Sequence, residues 1–174
     1  MTIRKILTEP DPFLRQKSIK VENVNNEIRT LMDDMLETMY AAPGIGLAAI
    51  QIGVPKRVIV IDIARGEEEK NPKYFVNPEI ISNSNMEASY EEGCLSVPGQ
   101  FAEISRPDKC KIKFLDYYGN EKVLETEGLL ATCIQHEMDH LEGILFIDYL
   151  SKLKKDMIVK KLSKQKKSLE RVIV

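Results

Sequence analysis

The strongest constraint on the fold is a change of hydrophobic period along the chain: helical early, short and strand-like through the middle, and helical again from Gly128 onward. Ile28, Leu31, Met32, Met35, Leu36 and Met39 recur three and four residues apart, which places them on one face of a helix starting near Asn26. A methionine-rich stripe of this kind reads as core packing. Pro43 and Gly44 end it, because proline breaks the helical hydrogen-bond ladder and glycine accepts the turn that follows. Residues 57–63, 74–82, 86–97 and 101–105 are then rich in strand-forming side chains, and 111–115 and 122–125 flank the turn cluster Tyr118-Gly119-Asn120 as a hairpin. Helical character returns over residues 128 to about 142. It returns again over 151–170, with Leu150, Leu153, Met157, Ile158, Leu162 and Leu169 expected on one side. Strands grouped together, rather than alternating singly with helices, predict an α+β fold: small antiparallel or mixed sheets, an N-terminal helix and a C-terminal amphipathic helix.

At 174 residues the chain fits one core. A hydrophobic content of 43% excludes disorder over most of its length. The uncharged stretch 41–55 is broken by Pro43, Gly44, Gly46 and Gly53 and falls short of the ~20 apolar residues a membrane span needs. Arg4, Lys5 and Glu9 interrupt any apolar signal core, which argues against export. Three cysteines, Cys94, Cys110 and Cys133, are too few and odd for a disulfide framework and suit a reducing, cytoplasmic setting. The net charge of −2 hides an asymmetry: residues 151–174 hold nine Lys or Arg against Asp156 and Glu170, so the body is acidic and the tail basic. Such a division suits two different partners.

The only two histidines lie in His136-Glu137-Met138-Asp139-His140. Four residues is about one helical turn, so both imidazoles project from one face and can grip one ion. Glu137 stands beside the first of them, placed to act as general base. A surface helix that happens to carry two histidines is the plain alternative. The extended protease pattern would need a histidine where Phe146 stands, although Gly143 occupies its glycine place; a downstream glutamate ligand would have to be Glu142 or Glu170, and neither is well placed. Upstream, Cys94 follows Gly93 at the end of a strand-like run, and its thiolate would complete the site. Cys110 and Cys133 read as small buried hydrophobes. Gly44-Ile45-Gly46-Leu47-Ala48-Ala49-Ile50-Gln51 matches a dinucleotide fingerprint on paper, but a helix precedes it and Val54-Pro55 follows, the wrong context for such a loop. Its glycines instead suit a backbone edge that a ligand approaches closely.

Taken together, GIGLAAIQ (44–51), EGCLS (92–96) and QHEMDH (135–140) resemble, in order, the three signature motifs of the peptide deformylase family. Pro10 and Leu14-Arg15 are similar to its N-terminal segment. The resemblance covers roughly residues 1–150, which it implies are a single catalytic domain packed around a central HExxH metal helix. Residues 151–174 would be a basic C-terminal helix packing on that domain or extending from it, similar to that of one bacterial subgroup.

The resemblance implies that Cys94, His136 and His140 bind the metal, with water as fourth ligand. Glu137 would take a proton from that water and pass it to the departing amine, while the Gln51 amide and the Leu95 N–H receive the oxyanion. The reaction would be removal of the N-formyl group from formyl-methionyl nascent peptides, releasing formate. Ligand softness alone points to zinc, whereas the family precedent implies Fe2+, with Zn2+, Ni2+ or Co2+ accepted. Ile45, Gly46, Tyr90, Leu129 and Cys133 would wall the methionine pocket, with Thr132 standing where relatives often carry an apolar residue. The peptide would lie as an added strand between the Ile45–Gly46 edge and Gly93. Glu92 and Arg106 are expected to pair and brace the Cys94 loop. The basic segment 151–174 would contact ribosomal RNA, or would simply pack as a solvated helix; no membrane or DNA partner is expected. A zincin-like endopeptidase with no need for Cys94, and a catalytically silent metal-stabilised module riding the ribosome, are the rival readings.

Overall fold

A computed structural model describes residues 1–173, with side chains through Glu170; Val174 and the side chain of Arg171, the last of the basic residues, lie outside the described part. The elements in chain order are α1 (Asn26–Ala41), β1 (Gly46–Ala48), β2 (Val58–Ile61), β3 (Lys73–Asn83), β4 (Glu87–Cys94), β5 (Val97–Pro107), β6 (Lys109–Leu115), β7 (Glu121–Glu127), α2 (Gly128–Leu141) and α3 (Lys152–Ile173). Short 3-10 turns cover Pro12–Arg15, Ala49–Ile52 and Phe146–Tyr149. The expected α+β class is what folds.

Five strands form one antiparallel sheet in the order β1-β2-β3-β6-β7, and β4 and β5 form a separate antiparallel ribbon. α1 starts where the Asn25 side chain accepts the Ile28 N–H at 3.1 Å, satisfying a donor the first turn would leave free. Its stripe of Leu31, Met32, Met35 and Met39 packs on Leu47, Val58, Val60 and Val76. The opposite sheet face, with Ile59, Ile61, Phe75 and Ile112, packs on Ala131, Ile134 and Leu141 of α2. With helices on both faces, all four residues of β2 are buried. This explains why its sequence is a continuous apolar run rather than an alternation. Each such buried side chain contributes ~1.5–3 kcal/mol.

Two details differ from the sequence reading. The run 86–97 is not one strand but turns between Cys94 and Val97, so that β4 and β5 are the arms of one hairpin: Gly93 pairs with Phe101 and Cys94 with Val97, which leaves residues 98–100 without partners as a bulge. Proline is tolerated there because no ladder bond is asked of it, and the bulge bends the ribbon beside Cys94. On α3, only Ile158, Val159 and Leu162 among the described side chains, with Leu150 before the helix, pack on Leu145, Phe146 and Ile147. Leu153, Met157 and Leu169 are exposed. The first two lie off the packed line, and Leu169 lies about two turns beyond Leu162, past the contact.

The end of α2 is set by Gly143, whose φ is +75°. A Cβ there would sit 2.3 Å from the Arg15 carbonyl oxygen, so both the conformation and the close packing demand glycine. The chain then turns back, and Arg15 holds Asp148 at 2.6 Å across the turn.

Candidate metal centre

α2 is the element that positions the chemistry. His136 and His140, one turn apart, are both buried, and the bulged end of the β4–β5 hairpin brings Cys94 against them. One ligand atom from each of Cys94, His136 and His140 lies within 4.8 Å of the others. Cys94 Sγ is 3.3 Å from His140 Nε2. Tetrahedral ligands on a first-row ion at ~2.0–2.3 Å stand roughly 3.4–3.6 Å apart, so a thiolate and two imidazoles at this spacing fit a divalent transition metal. Residues 46 and 42 positions apart along the chain thus meet at one point, as the notional site from sequence required.

Their surroundings prepare them. The His136 Nδ1 is bonded to Glu92 Oε1 at 2.8 Å, which leaves the other ring nitrogen for an ion. Glu92 is gripped in turn by Arg106, through Nε to Oε2 at 2.7 Å and Nη2 to Oε1 at 2.9 Å. Arg106 Nη1 also donates to Asp139 Oδ2 at 2.9 Å, and the Tyr149 hydroxyl donates to the same oxygen at 2.7 Å. Burial alone would raise the Glu92 pKa, but its hydrogen bonds to His136 and Arg106 outweigh burial and lower it. Glu92 is therefore a buried anion that orients His136. Sequence reasoning had Glu92 bracing the cysteine loop; it missed the grip on His136 and missed Asp139 and Tyr149, whose parts depend on contacts across 33 and 10 residues.

Burial lowers the pKa of His140 well below its usual value, which keeps it neutral and able to ligate. For His136 burial works the same way, yet its hydrogen bonds to Cys94 and Glu92 outweigh it and raise the pKa. Burial pushes the Cys133 thiol up to about 12, with Glu137 adding to the rise. Burial raises Cys110 as well. Neither lies in the cluster formed by Cys94, His136 and His140. Glu137 is buried, and its Oε2 has no hydrogen-bond partner among the described residues. Burial pushes its carboxyl up to about 7, against the opposing pull of His136. A Cβ on Gly46 would come within 2.5 Å of Glu137 Oε1, so glycine at 46 is what admits this carboxylate.

A cavity of about 500 Å³ opens onto these groups. Ile45, Gly46, Tyr90, Gly93, Leu129 and Cys133 line it, together with Gln51, Cys94, Leu95, His136 and Glu137. Thr132 also lines it, alongside Arg65, Pro98, Gly99 and Phe101, which the sequence did not single out. Phe101 is 65% exposed and covers Gly93, where a Cβ would meet its ring at 2.5 Å. A lone aromatic on an otherwise polar strand face was its only signal; Arg65 had none. A wider depression of about 670 Å³ over Tyr74, Tyr117 and Tyr118 contains none of Cys94, His136 and His140.

Residues 3–156 match the family model described as polypeptide deformylase. The chain belongs to the peptide deformylase family. It is 67% identical to the peptide deformylase of Pelagibacter ubique over 174 residues, covering 100% of each chain. It is 62% identical to that of Phenylobacterium zucineum over 168 residues, covering 97% of this chain and 99% of the relative. Among solved structures it is similar to the peptide deformylase of Ehrlichia chaffeensis, with a TM-score of 0.90 at 42% identity, covering 95% of this chain and 97% of the other. A structure of the Ehrlichia chaffeensis enzyme in complex with actinonin matches with a TM-score of 0.89 at 45% identity, covering 95% and 98%. A peptide deformylase is a hydrolase of protein biosynthesis and a metalloenzyme, and the activity of this family is deformylation of nascent peptides. The endopeptidase and silent-module readings therefore give way to it. Among the described residues no helix is long and apolar enough to cross a membrane.

Proposed function

We propose that deformylation proceeds in the 500 Å³ cavity with Cys94, His136 and His140 holding the ion, Fe2+ in the resident enzyme and Zn2+, Ni2+ or Co2+ able to replace it. The observation that carries this is the convergence of one sulfur and two imidazoles beside a buried carboxylate with a free oxygen. When bound, a divalent ion at these residues supplies Lewis-acid polarisation and lowers the pKa of water. Glu137, with Oε2 unpartnered, accepts the proton of the attacking water and delivers it to the amine that leaves. The Gln51 side-chain amide and the Leu95 backbone N–H donate to the formyl oxygen as negative charge grows on it.

Specificity follows from the cavity wall. Leu129 and Cys133 are one turn apart on α2 and face Ile45, Gly46 and Tyr90, giving an apolar slot for the unbranched methionine side chain. β1 pairs with a strand, β2, on one side only, which leaves the Ile45–Gly46 end of its other edge for the peptide backbone, with Gly93 across the cavity. Formate release from a short formyl-Met peptide by metal-loaded protein tests the assignment directly.

Replacing Gln51 by alanine removes one preorganised donor and is expected to lower kcat about a hundredfold with metal content unchanged. Steady-state kinetics on the formyl-Met peptide decide it: an unaltered kcat excludes Gln51 from the reaction.

Residues 1–150 form the catalytic unit in this reading, and the basic segment that follows carries α3, docked through Ile158, Val159 and Leu162. Lys160, Lys161 and Lys164 are exposed on it and suit the phosphate backbone of ribosomal RNA, where nascent formylated chains emerge. Reversing these three to glutamate is expected to abolish salt-sensitive co-sedimentation with ribosomes while leaving formate release from free peptide intact. Co-sedimentation that survives the reversal would remove the contact. The same reading places the enzyme in the cytoplasm.

A further inference from the structure

Gln51 sits in a frame built from three separate parts of the chain. Its Oε1 accepts the backbone N–H of Ala48 at 2.9 Å. A backbone N–H can only donate, so the atom facing it must be the amide oxygen, which settles which end of the carboxamide is oxygen and which is nitrogen. Nε2 then lies on the other side, donating to Ser96 Oγ at 3.0 Å and standing 3.6 Å from Cys94 Sγ. Ser96 is wholly buried, at 0% exposure, so water does not compete for this bond. The segments carrying the two residues are laced from behind by the N-terminal strap: the Leu7 N–H donates to the Gln51 carbonyl at 2.7 Å and the Glu9 N–H to the Ser96 carbonyl at 2.8 Å. The strap is itself tied to α1, where the Thr2 N–H reaches Asp34 at 2.7 Å and the Arg4 N–H reaches Thr38 at 2.8 Å.

We propose that Ser96 is a positioning residue for Gln51: its hydroxyl takes one hydrogen of the Gln51 amide and so aims the other toward Cys94 and the reacting carbonyl. The terminal torsion of glutamine is broad and has little preference of its own. Held only through Oε1, the amide would swing, and the donor would no longer wait where the oxyanion forms. Preorganisation is what makes such a donor effective, since it then costs no reorientation during the reaction. The inference rests on the donor role proposed for Gln51.

The test is a double-mutant cycle on the full-length, metal-loaded enzyme. Ser96→Ala is expected to lower kcat about tenfold, less than complete loss of the donor. KM and metal content should stay within about twofold, because neither peptide nor metal loses a contact. In the Gln51→Ala background, Ser96→Ala should cost nothing more, since there is no amide left to orient. Ser96→Cys, nearly the same volume with a much weaker acceptor, should follow the same pattern and covers the case in which the alanine variant folds poorly. In 15N-labelled metal-free protein, the Gln51 side-chain amide protons should be well separated in shift and collapse toward each other in Ser96→Ala. An equal loss in both backgrounds, or an unchanged kcat and unchanged amide shifts, overturns the proposal. An unaffected Gln51→Ala enzyme would instead overturn the role of Gln51, and the amide shifts would still report the Ser96 bond on its own.

Discussion

Glu137→Ala is expected to retain its metal and lose formate release by at least a thousandfold, the loss of both proton-transfer steps in one substitution. The carboxylate has no substitute nearby. Glu92 is committed to Arg106 and His136, and Asp139 to Arg106 and Tyr149. The pH profile carries the same signature. Glu137 acts as base only when ionised, and burial places its carboxyl at about 7 in the metal-free chain. A bound cation draws that value down. In the loaded enzyme kcat/KM should therefore rise with pH on an acid limb below about 7 and then level off. Stability runs the other way. A carboxyl whose pKa is raised on folding supports the fold while protonated, and that support is lost as pH rises through about 7. Metal-free Glu137→Gln should thus melt above the metal-free parent at pH 8, though it is inactive when loaded. Formate release that persists in Glu137→Ala, with a melting temperature unmoved in Glu137→Gln, would place the base elsewhere.

Arg106→Ala is expected to destabilise the protein by ~3–5 kcal/mol, the usual consequence of leaving a buried charge unpaired. Here the orphan is Glu92, whose side chain and that of Arg106 are each only 5% exposed. The damage should reach the metal. Glu92 orients His136, and loss of such an outer partner commonly weakens metal binding about 10–100-fold. Because hydrogen bonds from His136 and Arg106 hold Glu92 below its ordinary carboxylate pKa, its contribution is present above about 4.5 and lost as pH falls through the lowered value. The parent should therefore lose its advantage over Arg106→Ala on acidification. Denaturant melts and metal titration check both effects. A variant within ~1 kcal/mol of the parent, with full metal content, would mean that the ion pair braces nothing.

The readable part of this chain was its periodicity and its motifs. The stripe from Ile28 to Met39 became α1, and the continuous apolar run at Val58–Ile61 became a strand covered on both faces. The spacing of His136 and His140 puts two imidazoles on one helix face whatever the tertiary structure, because one helical turn is a local property. Cys94 was different. A lone cysteine beside glycine says little alone, and it became a candidate through the missing third ligand and the family resemblance. Its place 3.3 Å from His140 depends on a bulge at residues 98–100 that no local pattern marks. The short strand at Gly46–Ala48 was also illegible, since three residues are too few to show a period. α3 was legible as a helix but not in its packed face, because the body reaches only part of it.

What the sequence determined by itself is therefore the local inventory: which segments are helix or strand, where the α+β class comes from, and which side chains have the chemistry to hold a metal and move a proton. What only the tertiary structure decided is their company. Asp139, Arg106, Glu92 and His136 become one chain of hydrogen bonds, Ser96 comes to face Gln51, and the strap of residues 7–9 ties the two segments together, all across separations of many residues. Local pattern records the cost of each residue's own conformation. Which distant groups it will meet is fixed only when two helices close on the faces of one sheet and the β4–β5 ribbon bends over α2.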